Sequence, residues 1–243
     1  MCFFWLNSKN KRFEDRIHVR KSKPSNADRL WKRLWIAPCF QPQLASKRIL
    51  NLVATMKNLG LISWLAKRKL SEEQVAHVFV ETTFETVEQG WPELAEFLNE
   101  SDGFVQCPKL DTEDYGRFLM IIVSANIQLI PQHFDSGVDR QIIQRIFSKF
   151  ARALDITPDV FASKVKHYRS FMKQINNPSK NLVTAMTRAV FYKYNLNQCQ
   201  DAFFRDMNSP NPNTQRELRE LMQHFLWDWE AFKTTYRVVS TKN

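Results

Sequence analysis

The sequence predicts an all-α fold: a single-domain bundle of about seven or eight helices around a buried central helix, with a basic N-terminal extension. Three observations point there. Glycine is scarce, five among 243 residues, too few for the hairpins of a many-stranded β protein. From residue 57 onward, apolar residues recur at helical spacing between proline- and asparagine-marked stops. The longest apolar run, Phe118 to Ile130, is apolar nearly all round, as a helix enclosed on every side must be. A hydrophobic share of 44% with 25% charge is ordinary for a globular chain, so wholesale disorder is not expected.

Each element has a local reason. Ser71 and Gln74 form a capping box that opens a helix expected to end near Gly90. Trp91-Pro92 then reads as the start of a second, short helix through Asn99, because proline is tolerated in a first turn. Residues 100–109 read as a loop. Asp111 is the expected cap of the central helix, which runs to Pro131. Asp135 or Ser136 opens the next, through Leu154. Thr157 and Pro158 supply a cap and a first helical position for a helix to Ile175. Asn176-Asn177-Pro178 breaks it, and further helices are expected over residues 179–194 and 198–207. Residues 208–214 are a turn cluster.

The last helix has the clearest pattern. Leu218, Leu221, Met222, Phe225, Trp229, Phe232 and Tyr236 fall within about 100° of arc if one helix carries them all. Trp227 would then point away from this stripe, either as an exposed contact surface or covered by a neighbouring helix or the N-terminal segment. No strand is expected anywhere.

The formal charge of +10 is unevenly placed. Residues 1–48 hold twelve Lys and Arg against three acids, leaving 23 basic and 22 acidic residues of the totals of 35 and 25 for the rest. Residues 56–243 therefore read as a nearly neutral globular domain, and residues 1–55 as an extension that is disordered or not part of the native protein. Met56 offers an alternative start. Within the extension, Asp28 to Trp35 would make a short amphipathic helix suited to an anionic membrane or a phosphate backbone. Nucleic acid is not expected as a partner unless residues 1–55 are native. The run at residues 118–130 falls short of the roughly 18 residues a membrane span needs. Cys2, Cys39, Cys107 and Cys199 stand far apart with no CxxC pair, which predicts neither a zinc site nor a disulfide framework. Cys107 and Cys199 read as reduced thiols, and a cytoplasmic location is expected.

No nucleophile or phosphate-loop motif appears. Two weak metal candidates do. His77, Glu81, Glu85 and Glu88 share a helix face, as carboxylate-bridged metal sites require, but a solvated face opposite an apolar stripe has the same pattern. His133 and Asp135 stand in a loop where an HxD pair could ligate a metal or exchange protons. No cofactor is expected. Aromatic residues are the stronger signal: FYKY (Phe191 to Tyr194), AFF (Ala202 to Phe204) and FLWDWEAF (Phe225 to Phe232) crowd the C-terminal third. The sequence thus predicts a non-catalytic binding protein that contacts a protein partner, or itself, through Trp227, Phe191 and Tyr192. The rivals are a metal-dependent hydrolase using His77 with Glu81 or His133 with Asp135, and polyanion binding by the extension. Lys164, Lys166, Arg169 and Lys173 are the remaining basic group in the neutral body.

Overall fold

A computed structural model describes residues 68–239. The extension over residues 1–55, the amphipathic stretch within it and the alternative start at Met56 lie outside the described residues. The described chain is all-α but for two three-residue strands, and its helices are α1 (Glu72–Glu100), α2 (Gly116–Ile127), α3 (Ile130–His133), α4 (Val138–Ala153), α5 (Pro158–Ile175), α6 (Leu182–Lys193), α7 (Ala202–Asp206), α8 (Pro212–Met222) and α9 (Trp229–Thr235). Short 3-10 turns at Leu196–Cys199 and Gln223–Phe225 link the later helices. The strands β1 (Arg68–Leu70) and β2 (Tyr236–Val238) pair in parallel, with Arg68 opposite Tyr236, and tie the two ends of the described chain together. Neither strand was expected, since three residues are too short a run to show a period of two.

α2 is the buried centre: eleven of its twelve residues, all but Arg117, are buried. α1, α5 and α6 pack against it, and α4 bridges α1 and α5. The expected caps at Ser71 and Thr157 form: Ser71 Oγ accepts the Gln74 N–H at 3.3 Å, Gln74 Oε1 accepts the Ser71 N–H at 2.9 Å, and Thr157 Oγ1 accepts the Val160 N–H at 3.4 Å. Asp111 does not cap α2. Its carboxylate accepts the Glu113 N–H in a local turn, and α2 begins five residues later. The first turn of α2 is met instead by Tyr194, whose phenol oxygen accepts the Phe118 N–H at 3.0 Å and donates to the Asp114 carbonyl at 3.2 Å. Burial, aided by the nearby Asp114 carboxylate, pushes that phenol well above its ordinary pKa, so it stays a neutral donor. Asp135 does not cap α4 by its side chain; Asp139 Oδ1 reaches back to the Gly137 N–H at 2.8 Å, and Gly137 holds φ = 107°, a conformation open chiefly to glycine.

α1 runs unbroken through Gly90 and Pro92, where the sequence suggested a stop. Pro92 removes one N–H from the ladder, yet the buried face continues across it: Phe84, Val87, Trp91, Leu94 and Leu98 are all 3% exposed or less. Core contact on both sides of the break outweighs the local breakers. Gly90 has its own role. A β-carbon there would lie 2.6 Å and 2.7 Å from Cε1 and Cζ of Phe225, which packs edge-on against Phe118 at 4.9 Å. Gly90→Ala would gain about 1 kcal/mol of helix propensity. The crowding of a packed ring outweighs that gain, and a net loss of about 1–3 kcal/mol is expected in urea unfolding. A stabilised variant would show that Phe225 moves aside freely.

α1 and α4 are also joined at the surface, where Glu73 accepts from Arg145 at 2.9 Å and pairs with Lys149. The hydrogen bond from Lys149, helped by that from Arg145, holds the Glu73 carboxyl below its usual range against the opposing effect of burial. With the folded value depressed, this stabilisation is present at neutral pH and fades as pH falls through that value. Solvent limits such an exposed pair to about 1 kcal/mol or less.

Candidate functional site

The last apolar stripe is real, but the helix expected to carry it is not continuous. α8 ends at Met222, a 3-10 turn follows, and α9 starts at Trp229. Leu218, Met222, Phe225, Trp229 and Phe232 are nonetheless buried. The break rotates Trp227 inward. It is 5% exposed, against Phe79 and Trp229 at 5.3 Å each and Phe232 at 6.0 Å. Of the two placements open to it, Trp227 thus takes the covered one, which removes it from the expected contact surface: the rotation of about 100° per residue holds only while the helix lasts. Phe191, at 1% exposure, is also core. Tyr192 is half-buried and donates its hydroxyl to the Asn208 carbonyl at 2.9 Å, which fastens the following loop.

The metal candidates do not come together as a metal-binding group among the described residues. His77 is half-buried and Glu81 exposed on α1, and no group of three His, Cys, Asp or Glu suited to a metal occurs among the described residues. His133 faces Glu230 rather than Asp135: Nδ1 lies 2.9 Å from Glu230 Oε1, while Asp135 is exposed. This contact spans 97 residues of sequence and had no local signal. The hydrogen bond from His133, with help from Lys233, lowers the Glu230 pKa.

The structure does produce an apolar surface, one helix away from those expected. α7 buries none of its residues. Phe203 is 66% exposed and Met207, one turn on, 60%, with the Met207 N–H on the Phe203 carbonyl. Val105, 72% exposed, is tied by its backbone to the turn before α7, its N–H donated to the Cys199 carbonyl at 2.9 Å. Helices usually form because one face is buried. α7 is held by polar clamps instead. Asp201 Oδ1 accepts the Phe203 N–H at 2.9 Å, and Asn197 Nδ2 donates to the Arg205 carbonyl at 3.2 Å. Buried Gln200 donates to the Ser209 carbonyl at 3.0 Å and accepts the Asn211 N–H at 2.6 Å. Together with Tyr192, these bonds fix the turn on either side of Phe203. The sequence showed the aromatic pair Phe203-Phe204 but not that its helix would bury none of its residues among the described ones.

Cys107 and Cys199 stand beside this surface as free thiols, and burial, then proximity to Cys107, pushes the Cys199 thiol up. No helix among the described residues is long and apolar enough to cross a membrane. The class the fold defines is an all-α multi-helix bundle that displays a clamped apolar turn. Protein-family models, curated proteins and solved structures give no match to the chain.

Proposed function

We propose that the protein is a non-catalytic helical interaction module of the cytoplasm, which takes an apolar segment of a protein partner on the surface of Phe203, Met207 and Val105. The observation that carries this reading is the exposure of Phe203 and Met207 on a helix that buries nothing and is held by side-chain clamps. Large apolar side chains pre-fixed in this way lose little conformational entropy when they are covered, which is how binding hot spots gain affinity. The free thiols of Cys107 and Cys199 support the compartment, since reduced cysteines persist in reducing cytosol.

The test is a photo-cross-linking residue placed at Phe203 of the full chain in its native cells. A discrete protein adduct is expected, and Met207→Glu should reduce its yield by about tenfold, the effect of roughly 1.4 kcal/mol at the interface. An adduct of twice the chain mass would identify a second copy as the partner. No discrete adduct, or one indifferent to Met207→Glu, would overturn the proposal.

A further inference from the structure

A cavity of about 1130 Å³ lies between the C-terminal half of α5, the turn over residues 176–181, the start of α6, and the segment after α2. Its charged lining is of one sign: Lys166, Arg169, Lys173 and Lys180, with no Asp or Glu. Lys166, Arg169 and Lys173 stand at i, i+3 and i+7, which stacks three cations along one face of α5, and Lys180 faces them from the turn. Like charges at that spacing destabilise a helix, by about 0.2–0.5 kcal/mol per pair, unless something neutralises them. Some described cations find carboxylates: Arg117 finds Asp114, Arg145 and Lys149 find Glu73, and Lys233 finds Glu230. None of the four cavity cations has such a partner among the described residues. The body of the protein is close to neutral, so this concentration is local rather than a property of the whole surface.

A second observation concerns the cavity wall. Asn176, 8% exposed, lines the cavity and donates its Nδ2 to the Asn181 carbonyl at 3.1 Å, which fixes the amide orientation. Its Oδ1 is buried and meets no donor. A buried acceptor without a donor carries a desolvation cost, which marks this wall of the cavity as polar and incompletely satisfied within the described residues. Gln132, Gln174 and Ser170 add further amide and hydroxyl groups to the lining, and no aromatic side chain belongs to it. A site for nucleic-acid bases would offer a ring to stack on. This one offers four cations and several amide and hydroxyl groups beside the apolar Leu129, Met172, Pro178, Leu182 and Ala185, and no ring.

We propose that this cavity binds a multiply phosphorylated, non-aromatic polyol, with Arg169, Lys173, Lys166 and Lys180 meeting the phosphates. Arg169 is suited to grip two oxygens of one phosphate, and the lysines act as point charges around it. Such a group exists both as a free sugar or inositol phosphate and as a lipid headgroup, and the chemistry is the same.

The experiment is calorimetric titration of the full chain with inositol 1,4,5-trisphosphate, with vesicles carrying the corresponding phosphoinositide, and with a single-stranded oligonucleotide. Arg169→Gln/Lys173→Gln should weaken the trisphosphate or vesicle affinity by at least about tenfold, since charge-assisted hydrogen bonds contribute about 1.5–3 kcal/mol each. Both side chains are exposed, so the variant should melt at the same temperature or higher without ligand, because like-charge repulsion is relieved. Binding of the soluble trisphosphate would identify a free metabolite, and binding of vesicles alone a headgroup. Binding that the double variant leaves unchanged would assign it to the twelve basic residues of the extension and overturn the proposal. So would no binding to either probe, or tighter binding of the oligonucleotide with the same sensitivity to the variant.

Discussion

Replacing Trp91 with alanine is expected to remove about 3–5 kcal/mol of stability, from a total that for domains of this kind is only about 5–15 kcal/mol. Trp91 is fully buried in the C-terminal half of α1, stacked on Tyr194 at 4.4 Å and tilted against Phe118 at 5.2 Å. Its indole Nε1–H donates to the Asp111 carbonyl at 3.0 Å. One side chain thus joins α1, the segment leading into α2, and the C-terminal end of α6. Truncation leaves a cavity the size of an indole and also removes the ring that orients the Tyr194 phenol. That phenol receives the Phe118 N–H, so the start of α2 should loosen as well. Trp91→Phe should lose less, since a ring remains to stack on Tyr194. The check is urea unfolding of both variants followed by circular dichroism. A loss below about 1 kcal/mol for alanine would mean that the cavity collapses and that the stack is not structural.

The same residue shows which parts of the fold were legible. Caps are local, within three or four residues, and the Ser71–Gln74 box and the Thr157 cap form as read. The buried face of α2 was legible because its composition is one-sided for a whole helix length. Gly90-Trp91-Pro92 misled because local breakers are weak beside a core face that continues through them. Tyr194 as the partner of the Phe118 N–H lies 76 residues away and leaves no trace near α2. Sites depend still more on distance. His133 and Glu230 meet only in the fold, and the openness of Phe203 reflects that no element among the described residues packs over it. The cations on α5 could be read at their helical spacing, whereas Lys180 joins them only because the Asn177-Pro178 turn brings the chain back.

Asn126 explains how the final stripe could be right while its helix was wrong. It is 2% exposed on α2, and its Nδ2 donates to the Phe225 carbonyl at 2.9 Å while its Oδ1 accepts the Trp227 N–H at 2.7 Å. These are backbone groups that a continuous helix would have satisfied within itself. The side chain takes the place of the missing ladder, so the chain can break at Leu226, turn Trp227 into the core, and restart at Trp229 with the stripe still facing inward. Asn126→Leu keeps the approximate volume and removes both bonds. Orphaning two buried backbone groups at about 1–3 kcal/mol each predicts a loss of about 2–5 kcal/mol. The loss should be local first: amides of residues 226–238 should exchange with solvent ahead of those of α2, and tryptophan emission should shift red before the main unfolding transition. Asn126→Asp should not rescue the protein, because it restores the acceptor for Trp227 but not the donor for Phe225, and it buries a carboxyl beside a carbonyl. If Asn126→Leu unfolds in one step with wild-type exchange over residues 226–238, the break is held by the packing of Trp227 and Trp229 on Phe79, and the amide merely follows it.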